Sequence, residues 1–312
     1  MGEMIVLLYH ICKNKDIKMS RINSENTING LLWHYTGLDT LEAIVRSKKI
    51  RATHYTYLND ESEITIGCNI VLERLKRKKV DPKAIETVQS TLSSFQKKTS
   101  KLMFYITSFS ENGDSLYQWV AYTDHEKGGC AIGIAFDTNL FKEQSLSPTF
   151  GKCIYSKAAF IRKIDPMIED LRDGKCAALT ANNFLGLIPL LKHPCFKPEL
   201  EWRYVWHALE CDDSRSLLRS DTQITTISDA VMPRPRTDKK DRFFIERDFN
   251  DLNSIKKIIL SPHGPDFVSK KEKIDKLMRE LGLGKVEVIQ SKLPYVGDVV
   301  KSHNAEITGN RI

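Results

Sequence analysis

The sequence predicts an α+β fold, and three observations point to it. Strand-like runs rich in Phe, Tyr, Ile, Val and Thr recur along the chain without alternating strictly with helical segments. Neither G-x-G-x-x-G after a strand nor G-x-x-x-x-G-K-[ST] occurs, so the two common nucleotide-binding α/β signatures are missing. The 312 residues are 41% hydrophobic and 28% charged, which suits a proper core and argues against disorder. Residues 1–30 read as a leader segment, 31–296 as one domain and 297–312 as a tail.

Leu31 to Tyr35 reads as a short strand, and Asp39 stands at an N-cap position before the helical Leu41, Ile44 and Val45. Lys49 to Thr53 suggests a second strand. Asn59-Asp60 would cap a helix from Glu61 to Lys79, which Val80-Asp81-Pro82 breaks before a polar helix runs on to Lys98. Leu102 to Phe109 is strand-like. Asp114 would cap a short helix carrying Leu116, Trp119 and Val120, and Gly128-Gly129 turns into a buried strand over Cys130–Phe136. Residues 156–192 read as helical and Trp202 to Leu209 as a strand. A Pro/Arg-rich loop at 232–240, strands at 242–248 and 255–260, a helix at 266–281 and a strand at 285–290 complete the chain.

Seven cysteines, Cys12, Cys68, Cys130, Cys153, Cys176, Cys195 and Cys211, are scattered with no C-x-x-C pair. That pattern suits free thiols in a reducing cytoplasm, and no zinc spacing is present. The apolar run from Met4 to Leu8 is far short of the roughly 20 residues that span a bilayer, so no membrane partner is expected. The formal net charge is +7, of which +6 falls between residue 30 and residue 297, so the excess is not a detachable tail. A basic globular body can attract polyanions. Arg234, Arg236, Lys239 and Lys240 form a basic loop suited to phosphates, and the nucleic-acid contact is expected there.

Three segments carry chemistry: Trp33-His34-Tyr35-Thr36, then Thr107-Ser108-Phe109-Ser110 with Trp119 and Tyr122, then Pro198-Glu199-Leu200-Glu201-Trp202-Arg203. In their order, from Leu31 to Tyr295, they resemble the bacterial domain-of-unknown-function family 2971, itself similar to a branch of the ADP-ribosyltransferase superfamily. The resemblance implies a split β-sheet core with helical insertions that holds NAD as cosubstrate, without a metal. It implies His34, on the first core strand, as the residue that hydrogen-bonds the adenosine ribose and shares in catalysis. Tyr35 and Thr36 stand beside it. It implies Glu201 as the catalytic carboxylate, with Glu199 two residues before it. Ser108 and Ser110 occupy the second motif, where the superfamily places Ser or Tyr. An aromatic ring is expected on the nicotinamide, and Tyr55, Tyr57, Tyr117 and Tyr122 all remain open for that role.

The chemistry explains these residue types. Breaking the nicotinamide–ribose bond builds positive charge on the sugar, which a carboxylate opposes while gripping the 2′-hydroxyl. Strand alternation would turn Glu199 and Glu201 to one side, one for the sugar and one for the acceptor. Glu201→Gln should then stop transfer and leave the fold intact. The expected acceptor is RNA, with a protein acceptor, or water in an NAD glycohydrolase, as the alternative. The resemblance also admits the toxin of a bacterial defence or toxin–antitoxin module, with an antitoxin as partner. A non-catalytic module that binds RNA or a protein is the rival of another class.

Overall fold

The computed structural model describes residues 30–57, 62–96, 102–122, 131–141, 149–209, 244–249, 251–262 and 267–294. The tail, the leader apart from Gly30, the Asn59-Asp60 pair and the loop with Arg234, Arg236, Lys239 and Lys240 lie outside the described residues. The elements run β1 (Leu31–Gly37), α1 (Leu38–Ser47), β2 (Lys49–His54), α2 (Ser62–Arg77), α3 (Pro82–Gln96), β3 (Leu102–Ser110), α4 (Leu116–Tyr122) and β4 (Ala131–Asp137). Then follow β5 (Thr149–Lys152), α5 (Lys157–Arg172), α6 (Ala177–Leu187), β6 (Glu201–Leu209), β7 (Phe244–Asp248), β8 (Ile255–Leu260), α7 (Phe267–Glu280) and β9 (Glu287–Gln290). The fold is mixed α+β around one mostly antiparallel sheet, with β8 and β9 as the parallel pair.

The sheet forks at β3. All nine residues of β3 pair with β6 along one edge, from Leu102↔Leu209 to Ser110↔Glu201. The other edge is divided between two strands. β2 takes it at Tyr105 and Ile106, and β1 takes it at Ser110 alone, through Trp33. One branch then continues as β1–β4–β8–β9 and the other as β2–β7. Between the branches the β3 backbone lacks a ladder partner on that edge, and side chains step in. The Thr107 hydroxyl donates to the Arg51 carbonyl at 2.9 Å, and His34 Nδ1 reaches the Ser108 carbonyl at 3.0 Å. A carbonyl only accepts, so Nδ1 carries the proton of that bond.

Helices cover both faces. Tyr105, Phe109, Trp202, Tyr204 and Trp206 alternate onto one face and pack with Leu41 and Ile44 of α1 and Ile274 and Leu277 of α7. Phe104, Ile106 and Val205 alternate onto the other, under Val71 and Leu75 of α2, Leu92 of α3, Phe160 of α5 and Phe184 of α6. α4 lays the fully buried Trp119 against Tyr35 and Ile259.

Several expectations change. α1 begins after Gly37 without a side-chain cap, and Asp39 sits in its first turn, where a negative charge suits the positive end of the helix dipole. The Asp114 carboxylate instead accepts from the Trp119 indole at 2.7 Å and the Ser291 hydroxyl at 2.6 Å, because a buried indole N–H needs an acceptor. The stretch 156–192 is two helices and a 3-10 turn (Ile188–Leu190), parted where Gly174 takes φ +81°. β5, four residues with an internal glycine, gave no strand signal, yet it pairs with β6 through Thr149↔Val205 to Lys152↔Trp202.

Candidate active site

Glu201 opens β6 at the end of a tight approach. The chain runs through a 3-10 turn (Pro194–Glu199) that begins and nearly ends in proline, and Leu200 then takes the left-handed conformation at φ 45°, ψ 46°. This reversal brings Glu199 back towards Glu201. The two carboxylates do converge, but through a turn rather than through strand alternation, because Glu199 lies before the strand. The Glu201 backbone is pinned on both sides: its N–H donates to the Tyr155 hydroxyl at 2.8 Å, and its carbonyl accepts from the Cys153 N–H at 2.8 Å. Ser110 Oγ donates to the Glu199 carbonyl at 2.7 Å.

Glu201 is 4% exposed and both its carboxylate oxygens are engaged. Oε1 accepts from Ser108 Oγ at 2.5 Å and from Arg203 Nε at 3.0 Å. Oε2 accepts from the Lys192 ammonium and from the Cys153 thiol, the latter at 3.6 Å. Lys192 also donates to Glu199. Arg203, two residues along the same strand face, donates at 2.7 Å to both Glu63 Oε2 and the Pro189 carbonyl. Three carboxylates and two cations are thus packed under α2 and the 3-10 turn.

Burial by itself would raise the Glu201 carboxyl, but the Arg203 guanidinium and the Lys192 ammonium outweigh it and hold it down at about 2. Burial likewise works against the Lys192 charge, and Glu201 and Glu199 overcome it, raising the ammonium to about 12. Glu63 and Glu199 go the other way. Burial raises both carboxyls, against the pull of Arg203 on Glu63 and of Lys192 on Glu199. Glu63 Oε1 is buried with no hydrogen-bond partner. The result is a Glu201 held anionic at neutral pH under a more exposed Glu199 whose proton is held more tightly, a pairing suited to charge stabilisation beneath proton transfer.

The other sequence-derived residues are distributed around this cluster. Ser108 is in it, and Ser110 is 1% exposed beside it. His34 stands at the fork, its ring 5.7 Å from that of Phe109. By alternation along β1 it belongs to the face of Leu32 and Phe109, opposite Glu201, and the two are joined through the two ends of Ser108. Tyr35 is 4% exposed, with its hydroxyl donating to the Asn112 carbonyl at 2.6 Å, so it packs in the core beside Trp119. Thr36 is buried at 7%. Tyr55 is buried against Phe104, and Tyr57 packs near His54. Tyr122 is exposed beside Tyr35. Tyr117, another of the rings left open, has Glu199, Cys195 and Lys192 in its surroundings.

Sequence reasoning missed Lys192, Glu63, Cys153 and Tyr155, and it allowed Arg203 and Glu201 only a surface ion pair, whereas the pair is buried. One signal was available for three of them: a charge set among apolar neighbours. Glu63 shares the buried stripe of α2 with Ile70 and Val71, Lys192 follows Ile188 to Leu191, and Arg203 lies between Trp202 and Tyr204. Among the described residues no group of three His, Cys, Asp or Glu is arranged to hold a metal ion, and no helix is long and apolar enough to cross a membrane.

No curated protein and no solved structure matches the chain. Residues 118–204, which run from α4 into the Glu201 strand, match the family described as Protein of unknown function (DUF2971), and over that segment the chain is similar to this family.

Proposed function

We propose that the chain is an NAD-dependent ADP-ribosyltransferase with Glu201 as its catalytic carboxylate. The supporting observation is the hydrogen-bonded line Glu201–Ser108–His34 across three neighbouring strands, β6, β3 and β1, ending on a carboxylate held ionised. The family resemblance leads one to expect His, Ser and Glu on three core strands, in that order along the chain. In the proposed reaction the bond between ribose C1′ and the nicotinamide nitrogen breaks, and nicotinamide leaves with the electron pair as a neutral molecule. The acceptor's nucleophilic atom bonds C1′ and gives its proton to Glu199. Glu201 opposes the positive charge that builds on the sugar. His34 contributes to binding at the fork, on the adenosine side.

RNA is the favoured acceptor, on the basic charge of the body and the Arg234–Lys240 loop. Protein and water are the alternatives within this reading, and a toxin role with an antitoxin partner belongs to it through the resemblance alone. The test is incubation with NAD labelled in the ADP-ribose part together with cell extract, followed by nuclease or protease digestion. Label removed by ribonuclease supports RNA, label removed by protease supports protein, and nicotinamide release without transferred label supports water.

A second reading has its own observation. Both Glu201 oxygens are occupied by four donors, as in a structural ion cluster of a non-catalytic RNA- or partner-binding module. Absence of nicotinamide release from the folded protein would decide for it.

A further inference from the structure

We propose that Lys192 is a latch displaced by substrate: in the resting protein its ammonium bridges Glu199 and Glu201, and it withdraws onto Glu199 when a ribose diol engages Glu201. This rests on the transferase reading above. The argument starts from occupancy. Glu201 accepts from Ser108 and Arg203 on one oxygen and from Lys192 and Cys153 on the other, so a diol can be gripped only where a donor leaves. Ser108 and Arg203 are held on paired strands, and Arg203 is tied further to Glu63 and the Pro189 carbonyl. The Cys153 thiol is a weak donor on a segment whose backbone is bonded to Glu201 itself.

Lys192 differs in its second acceptor and in its flexible stem. A second carboxylate already accepts from its ammonium, so letting go of Glu201 does not strand a buried charge, which would cost several kcal/mol. Its backbone is fixed, with the N–H bonded to the Ile154 carbonyl at 3.0 Å, while its four-carbon stem leaves the ammonium free to swing. The Phe196 ring lies 4.9 Å from Nζ on the same 3-10 turn as Glu199, a further attraction on the side to which the ammonium would move.

The latch makes two variants act in opposite directions. Lys192→Met removes the competitor for Glu201, so KM for NAD should fall by about fivefold or more without a gain in kcat. Lys192→Arg keeps the charge but offers a rigid fork that can hold both carboxylates at once, so KM should rise by a similar factor. Nicotinamide release is the assay, and the urea midpoint of each variant is measured beside it. A loss of packing raises KM in both variants and cannot produce the split. A folded Lys192→Met with raised or unchanged KM overturns the latch. Where that variant does not fold, a folded Lys192→Arg with unchanged KM overturns it instead. Either result with an active wild-type protein leaves the transferase reading standing. A wild-type protein that releases no nicotinamide overturns both.

Discussion

Glu201→Gln tests the site at its centre. The carboxyl is held at about 2 against an ordinary 4.5. At about 1.4 kcal/mol per pH unit, that difference amounts to about 3 kcal/mol of folding free energy at neutral pH. The side chain is 5% exposed, so screening by solvent does little to reduce the figure. It agrees with the range of about 3–5 kcal/mol for removing one member of a buried ion pair. Gln keeps an acceptor for Ser108 and Arg203, but its amide would set a donor against the Lys192 ammonium. Urea unfolding of both proteins at pH 7 and at about pH 3 is the assay. A carboxyl that titrates lower in the folded state stabilises fully above about 4.5 and loses its effect as pH falls through about 2. The gap between wild type and variant should therefore shrink to about half or less at pH 3. Glu63 and Glu199, with raised carboxyls, bind protons more readily when folded and act in the opposite sense. For that reason the gap, and not the wild-type curve, isolates Glu201. Nicotinamide release should fall by about 10²–10³, measured where both proteins are folded. A variant within about 1 kcal/mol of wild type at pH 7 would refute the electrostatic account. The sequence alone makes this substitution silent for folding, and the ion cluster changes that expectation.

Three further outcomes follow from the geometry. Glu63→Gln should cost less stability than Glu201→Gln, because burial raises the Glu63 carboxyl where Arg203 and Lys192 hold that of Glu201 down, Oε1 has no partner and Gln still accepts from Arg203; a loss as large as that of Glu201→Gln, read by the same urea titration, would refute that order. His34→Ala should raise KM for NAD with little change in kcat, since it removes the bond to Ser108 at the fork and not the charge at Glu201; a lower melting temperature with unchanged KM would reduce His34 to holding the fork together. Gly113→Ala should destabilise by about 1–3 kcal/mol or prevent folding, because its Cβ would lie 2.1 Å from Trp33 Cε2; wild-type stability in thermal unfolding would mean the indole moves aside freely.

Much of the element order was legible because it is written in local patterns. The strand at Leu31–Gly37, the buried run at Ala131–Asp137 and the helix stop at Val80-Asp81-Pro82 each follow from residues within a few positions of one another. β5 was not legible, because its four residues become a strand only by pairing with β6. The helical stretch before Leu191 was seen, but its break at Gly174 was not, since a single glycine in a helical pattern is tolerated as often as it ends one.

The sequence by itself determined that His34, Ser108 and Glu201 stand in strand contexts in a fixed order, and the tertiary structure decided what each one meets. It carried Lys192 from the turn after α6 and Cys153 from beyond β5 to the Glu201 carboxylate, Tyr155 to the Glu201 N–H, and Glu63 from α2 to Arg203, 140 positions away along the chain. It also sent the His34 ring to the fork and buried Tyr55, a ring that a linear reading ranks with Tyr117. The physical reason is range. Helix and strand preferences act over a few neighbouring residues, whereas the ionisation of a buried carboxylate depends on every charge within a few ångströms, whichever part of the chain supplies it.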